Sequence, residues 1–176
     1  MNSQILLPAV LGYACCTGLL ILIPFRAKKI ISSAGKCKLP LRRDSLLKVL
    51  LLFVICFFLI SVIFLNRLPL AGNFMVCAVG LLGFELGVRN FLVRKYGGIY
   101  ENGIFLQYPF IAFENIDSIP VLGWEDSIES LESQTTLHVV LKDGTNIALL
   151  FESTDEMQKI IRLLVELYPS LEKKTD

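Results

Sequence analysis

Three long apolar stretches constrain the fold of this chain more than any other feature. They cover residues 5–25, 46–65 and 74–93. Each approaches the roughly 20 apolar residues that a helix needs to cross a hydrocarbon core about 30 Å thick. The chain as a whole is 54% hydrophobic over 176 residues, above the roughly 45–50% of soluble domains. We therefore predict a membrane anchor of three transmembrane helices in residues 1–96.

Charge divides the chain near residue 97. Residues 1–97 contain 12 of the 17 Lys and Arg, whereas 14 of the 16 Asp and Glu lie beyond them. The segment 26–45, between the first two apolar stretches, is rich in Lys and Arg, and the turn before the third has only Arg67. Basic loops remain in the cytoplasm. We expect a multi-pass protein of the bacterial inner membrane, with the N-terminus outside and the C-terminal domain cytoplasmic.

The basic segment suggests a second role besides topology. Cations beside a membrane are attracted to anionic lipids by about 1 kcal/mol each. The segment has more cations than topology requires, so they are lipid-contact candidates: Arg26, Lys28, Lys29, Lys36, Lys38, Arg42 and Arg43. The alternative is that they serve only to orient the chain.

Two ionisable residues lie within the third apolar stretch. Glu85 precedes Arg89 by four residues, the favourable order for an ion pair on one helix. Charged side chains inside a membrane are functional candidates because leaving one unpaired is costly. We favour a structural pair or a contact between helices, with an intramembrane function of Glu85 as the alternative.

The C-terminal part, residues 97–172, has the pattern of a small α+β domain. Runs of β-prone residues flank Asn102-Gly103, and a second pair of runs flanks residues 142–144. Both patterns predict β-hairpins. Ser153 and Glu156 then form the sequence signature of a helix start. We expect antiparallel strands followed by one amphipathic helix.

The order of short motifs in this part resembles one protein family. The motifs are Gly98-Ile99-Tyr100-Glu101-Asn102-Gly103-Ile104, Phe113-Glu114-Asn115-Ile116 and Gly123-Trp124-Glu125, followed by a leucine-rich strand, a turn and a final helix. Together they resemble membrane-anchored bacterial pleckstrin-homology-like (PH-like) domains of unknown function. Phe113 stands where the usual pattern has Trp. The resemblance implies a curved antiparallel sheet capped by the C-terminal helix, and binding or scaffolding without known catalysis.

An acidic run supplies the partner-docking candidates of this domain. Phosphoinositide recognition would need converging cations, but Lys142 is the only Lys or Arg between Gly98 and Glu152. The acidic run, residues 125–133, is either a solvated loop or a docking strip for a basic partner, for which the chain's own basic segment is one possibility. The docking candidates are Trp124, Glu125, Asp126, Glu129 and Glu132.

No residue pattern indicates catalysis. The five cysteines have no zinc-ligand spacing, and His138 is the only histidine, so we predict no metal site, cofactor or nucleic-acid partner. We expect a non-enzymatic membrane protein whose domain scaffolds or regulates a protein partner, a membrane complex or a second copy of the chain. The alternative is a lipid-binding, membrane-organising module acting through segment 26–43. A remote alternative is a membrane-complex assembly factor or a transporter subunit.

Overall fold

The computed structural model describes residues 3–41, 45–65, 68–120, 136–151 and 153–167. They form two compact units. The first contains the residues up to Ser33 and those from Leu41 to Gly97, and the second contains Ala34–Pro40 and the residues from Gly98 onward.

Three helices of the first unit are long and apolar enough to cross a membrane. They are α1 (Ser3–Ala34), α2 (Leu46–Ser61) and α3 (Leu70–Tyr96), and α2 continues as a 3₁₀ turn over Val62–Leu65. The Ser45 hydroxyl accepts a hydrogen bond from the Lys48 amide and caps α2. Many large apolar side chains face outward, with Leu47, Phe58 and Met75 more than 70% exposed. Such an exterior suits hydrocarbon rather than water.

Side chains of α2 pack against glycines of α3. A Cβ placed on Gly80 would lie 2.8 Å from Cγ1 of Ile60, and one on Gly83 would lie 2.6 Å from Sγ of Cys56. Gly87 meets the ring of Phe53 in the same way. Small residues let membrane helices approach closely. Gly80, Gly83 and Gly87 therefore serve the packing of α3 against α2 inside this unit.

The second unit contains two small antiparallel sheets and a helix. The strands are β1 (Cys37–Pro40), β2 (Gly98–Tyr100), β3 (Gly103–Phe105), β4 (Ile111–Ala112), β5 (Ile116–Ser118), β6 (Thr136–Leu141) and β7 (Asn146–Leu150). The first sheet has the order β1-β2-β3-β4 and the second the order β5-β6-β7. Helix α4 (Thr154–Leu167) follows β7, and the Ser153 hydroxyl accepts a hydrogen bond from the Glu156 amide at 3.2 Å, as the capping signature predicts.

The basic segment 26–45 differs from the loop that we expected. Helix α1 continues past Phe25 to Ala34, and β1 then pairs antiparallel with β2. The helix continues because Arg26, Ala27, Lys28 and Lys29 are good helix formers. It ends where Gly35 adopts a φ of 76°, a conformation that favours glycine. Helix α3 is also longer than expected, since it begins directly after Pro69 and includes Gly72 and Asn73.

The first hairpin forms where predicted, with its turn one residue earlier. Tyr100 pairs with Gly103, so Glu101-Asn102 is the two-residue turn. A Cβ on Gly103 would collide with the carbonyl oxygen of Ile111 on β4. Gly103 is thus required by close approach of a neighbouring strand. The second hairpin, between β6 and β7, turns at Gly144 with a φ of 82°.

Candidate functional site

The intramembrane carboxylate of Glu85 joins two helices. Nη1 of Arg26 on α1 donates to both Glu85 oxygens, at 2.8 and 2.9 Å. Nε of Arg89, four residues further along α3, donates to Oε1 at 3.0 Å. The Glu85 side chain is only 21% exposed. Its negative charge is therefore balanced by the two arginines at a place where water solvates it poorly. Both contacts that we favoured, within α3 and between helices, are present.

The predicted lipid-contact residues that the structure describes fall into two groups, paired and unpaired. Arg26 and Lys38 are paired with carboxylates of the chain, namely Glu85 and Glu101. Lys28, Lys29 and Lys36 are exposed, and within the described part of the chain their ammonium groups have no carboxylate within 4.0 Å. Arg42 and Arg43 lie outside the described residues. Three cations of the original set are therefore available to an external anion.

The residues just before β1 contact the turn of the first hairpin. Amides of Glu101 and Asn102 donate to the carbonyls of Lys36 and Ala34, at 3.0 and 3.1 Å. The Glu101 carboxylate accepts from the Lys36 amide at 3.2 Å, and Lys38 Nζ lies 3.2 Å from its other oxygen. These two contacts hold the pKa of Glu101 below its usual value, the amide of Lys36 being the larger cause. The basic segment thus contacts the hairpin directly.

This contact is the structural feature that sequence reasoning missed. The pairing of the basic segment with the acidic run 125–133 stays a prediction. Among the described residues, β1 of the basic segment pairs with β2, and Lys38 lies beside Glu101. The acidic run and its docking candidates Trp124, Glu125, Asp126, Glu129 and Glu132 lie outside the described residues. The only sequence signals for β1 are Gly35 before it and Pro40 at its end.

The second sheet presents a mixed outer face. On β7, Asn146, Ala148 and Leu150 are exposed, and Leu149 is buried. His138 on β6 is exposed between the buried Leu137 and Val139, and its Nδ1 lies 3.3 Å from Oδ1 of Asn146. In the described part of the sheet, β7 has a neighbour on one side only. Among the described residues its other edge is therefore unpaired, and an unpaired edge is where a further strand can add.

The described residues show no metal-binding constellation. No group of three or more His, Cys, Asp and Glu side chains among them is arranged to hold a metal ion. The buried cysteines Cys16, Cys56 and Cys77 belong to the three different long helices. Pairing of the described ionisable groups is dominated by the two clusters around Glu85 and Glu101.

Comparisons with known proteins do not assign this chain to a family. No protein-family model matches it, and neither the curated proteins nor the solved structures contain a significant match.

Proposed function

We propose that this chain is a non-enzymatic membrane protein whose acidic domain holds a basic segment of a membrane-protein partner at the cytoplasmic face. The three apolar helices support the membrane location. The charge of the domain supports the chemistry of the partner, because residues 98–152 contain nine acids and one Lys. Such a surface attracts basic segments and is repelled by anionic lipids.

The edge of β7 that is unpaired among the described residues is the observation that carries this proposal. Leu150, at the end of this strand, is 64% exposed. Extended peptides bind to sheet edges through backbone hydrogen bonds, and exposed side chains then set specificity. The surrounding negative charge favours Lys or Arg in the added strand.

We also propose that the domain is PH-like. Its support is the order of the motifs and of the elements, in which small antiparallel sheets precede one C-terminal amphipathic helix. On this hypothesis β1, which precedes the resembling motifs, is an addition contributed by the segment between α1 and α2.

Photo-cross-linking in cells tests the docking surface. A photoreactive residue at Ala148, on the outer face of β7, should form a discrete cross-link to a basic segment of an integral membrane protein. Leu150→Lys should reduce that cross-link at least about fivefold, since a Lys on an edge strand opposes strand addition and repels a basic partner. Val165→Lys on α4, also at an exposed apolar residue, is the matched control and should leave it unchanged.

Three outcomes would count against this proposal. Equal cross-linking in both Lys variants would exclude the edge of β7 as the docking surface. A second set of variants, with Glu125, Asp126, Glu129 and Glu132 changed to Lys, examines the acidic run. If only these variants lose the cross-link, the partner binds the acidic run instead. Cross-links to lipid alone would remove the protein-scaffold hypothesis.

A further inference from the structure

A groove at the basic end of α1 combines a cation with apolar walls. Its volume is about 350 Å³, and it is lined by Pro24, Ala27, Lys28, Ile31, Ser32 and Tyr96. All six residues belong to the helical unit. Five of the six lie in the C-terminal half of α1 and Tyr96 ends α3, and both helices are long and apolar enough to cross a membrane. Any occupant of this groove must therefore suit a membrane boundary.

Lys28 provides the positive charge of the groove. It is exposed, and no carboxylate of the described residues lies within 4.0 Å of its ammonium group. Arg26, two residues before it, is already paired with Glu85. The last turn of α3, which contributes Tyr96 to the groove, also contains Arg94 and Lys95. The Lys28 ammonium group is the cation of the groove lining and can donate to an anionic oxygen.

The remaining lining residues favour an anion that carries apolar groups over a dissolved inorganic anion. Pro24, Ala27, Ile31 and the ring of Tyr96 offer apolar contacts that a dissolved inorganic anion cannot use. The Ser32 hydroxyl donates to the Lys29 carbonyl at 2.9 Å, which leaves its oxygen as an acceptor. An occupant with a phosphate, a hydroxylated headgroup and apolar chains satisfies all of these groups.

We propose that this groove is a binding site for an anionic phospholipid, with its phosphate on Lys28 and its first acyl carbons against Pro24, Ala27 and Ile31. This site is separate from the edge of β7 and does not depend on a protein partner. It also differs from general attraction to the membrane surface, because it assigns Lys28 a role that Lys29 lacks. Both lysines are exposed on the same helix, but only Lys28 lines the groove.

Native mass spectrometry of the full-length protein in detergent tests the site. The protein is titrated with phosphatidylglycerol and with phosphatidylcholine of the same acyl chains. We expect preferential binding of phosphatidylglycerol, reduced about fivefold by Lys28→Gln and less than about twofold by Lys29→Gln, since one cation near an anionic headgroup contributes about a factor of five. Equal effects of the two substitutions would overturn the proposal.

A second pair of variants tests the apolar part. Ile31→Trp should fill the groove and reduce binding of phosphatidylglycerol without changing any charge. Leu22→Trp is the control, because Leu22 and Ile31 are both 45% exposed on α1 and Leu22 does not line the groove. Two further results would refute the proposal: equal binding of both lipids by the unaltered protein, or complete displacement of phosphatidylglycerol by excess inorganic phosphate.

Discussion

At the residue scale, Glu101 makes the attachment of β1 dependent on pH. The Lys36 amide and the Lys38 ammonium group lower the pKa of this carboxyl in the folded protein. A lowered pKa means that the ionised form stabilises the folded state. This contribution is fully present above the ordinary value of about 4.3. It is lost as the pH falls through the lower pKa of the folded protein.

Amide hydrogen exchange can measure this dependence. The amides of Glu101 and Asn102 donate to the carbonyls of Lys36 and Ala34, just before β1. We expect their protection factors to decrease as the pH falls below about 4.3. Glu101→Gln should lower the protection at neutral pH and abolish this pH dependence. Unchanged pH dependence in the variant would assign the effect to another group, such as Asp143, whose pKa is lowered mainly by the Thr145 amide.

The cluster around Glu85 predicts a graded series of stabilities. Lys29→Gln removes an unpaired cation from α1 and should change the free energy of unfolding by less than about 0.5 kcal/mol. Arg26→Gln removes the same charge but breaks the contact with Glu85, and should cost about 1 kcal/mol. Glu85→Gln leaves Arg26 and Arg89 without their shared carboxylate, and should cost about 2 kcal/mol.

Unfolding in mixed micelles by increasing the fraction of denaturing detergent measures this series. Equal stability of the Lys29 and Arg26 variants would show that the ion pair between helices contributes nothing.

The sequence predicted a contact of Glu85 with Arg89 or with another helix, but it did not identify Arg26 as the residue on that helix. Arg89 lies four residues from Glu85, where helix geometry makes a contact readable. Arg26 is 59 positions away, and no local pattern links it to Glu85.

At the scale of elements, Ile60 determines how closely the helices approach. It is fully buried, and its side chain meets Gly80 of α3 and Gly12 of α1. A Cβ on Gly80 would lie 2.8 Å from Cγ1 of Ile60, and Gly12 on the other side leaves Ile60 little space to move. Gly80→Ala should therefore destabilise the helical unit by about 1–3 kcal/mol.

Gly18→Ala is the matched control for this substitution. Gly18 also lies within a long apolar helix, but a Cβ there would meet no atom within 4 Å. It should be neutral or stabilise the helix by up to about 1 kcal/mol, because Ala favours helices more than Gly. The comparison is read from thermal melting in detergent. Similar melting temperatures for the two variants would contradict the proposed packing role of Gly80.

The strands show which elements a sequence can reveal. Both hairpins were predicted because their turn residues and β-prone runs are local signals. Strand β1 was missed because it has four residues and pairs with β2, which begins only at Gly98. The segments α2 and α3 lie between the two strands, so no hairpin pattern joins them. The turn of the first hairpin was predicted one residue too late, because Gly103 was assigned to the turn. Gly103 is instead a strand residue, and a glycine is required there by the close carbonyl oxygen of Ile111 on β4.

At the scale of the whole molecule, the distribution of charge predicts the orientation. The positive-inside rule places β1 and the domain after Gly97 in the cytoplasm, and the segment between α2 and α3 outside. Cys37 on β1 is exposed, and packing of its thiol raises its pKa. Cys16, Cys56 and Cys77 are buried in the helices, and the exposed Cys15 lies within the apolar stretch 5–25. Cys37 is therefore a natural reporter of the side on which β1 lies, and we expect its raised pKa to slow its labelling.

Labelling with a membrane-impermeant maleimide tests this orientation. In intact spheroplasts, Cys37 should remain unlabelled, and Leu68→Cys, at an exposed residue before α3, should add a labelled site. Permeabilised membranes should label both positions, and Cys37→Ser identifies the signal of Cys37. Labelling of Cys37 in intact spheroplasts would invert the topology. Because β1 pairs with β2, such a result would place the domain outside as well and exclude a cytoplasmic partner.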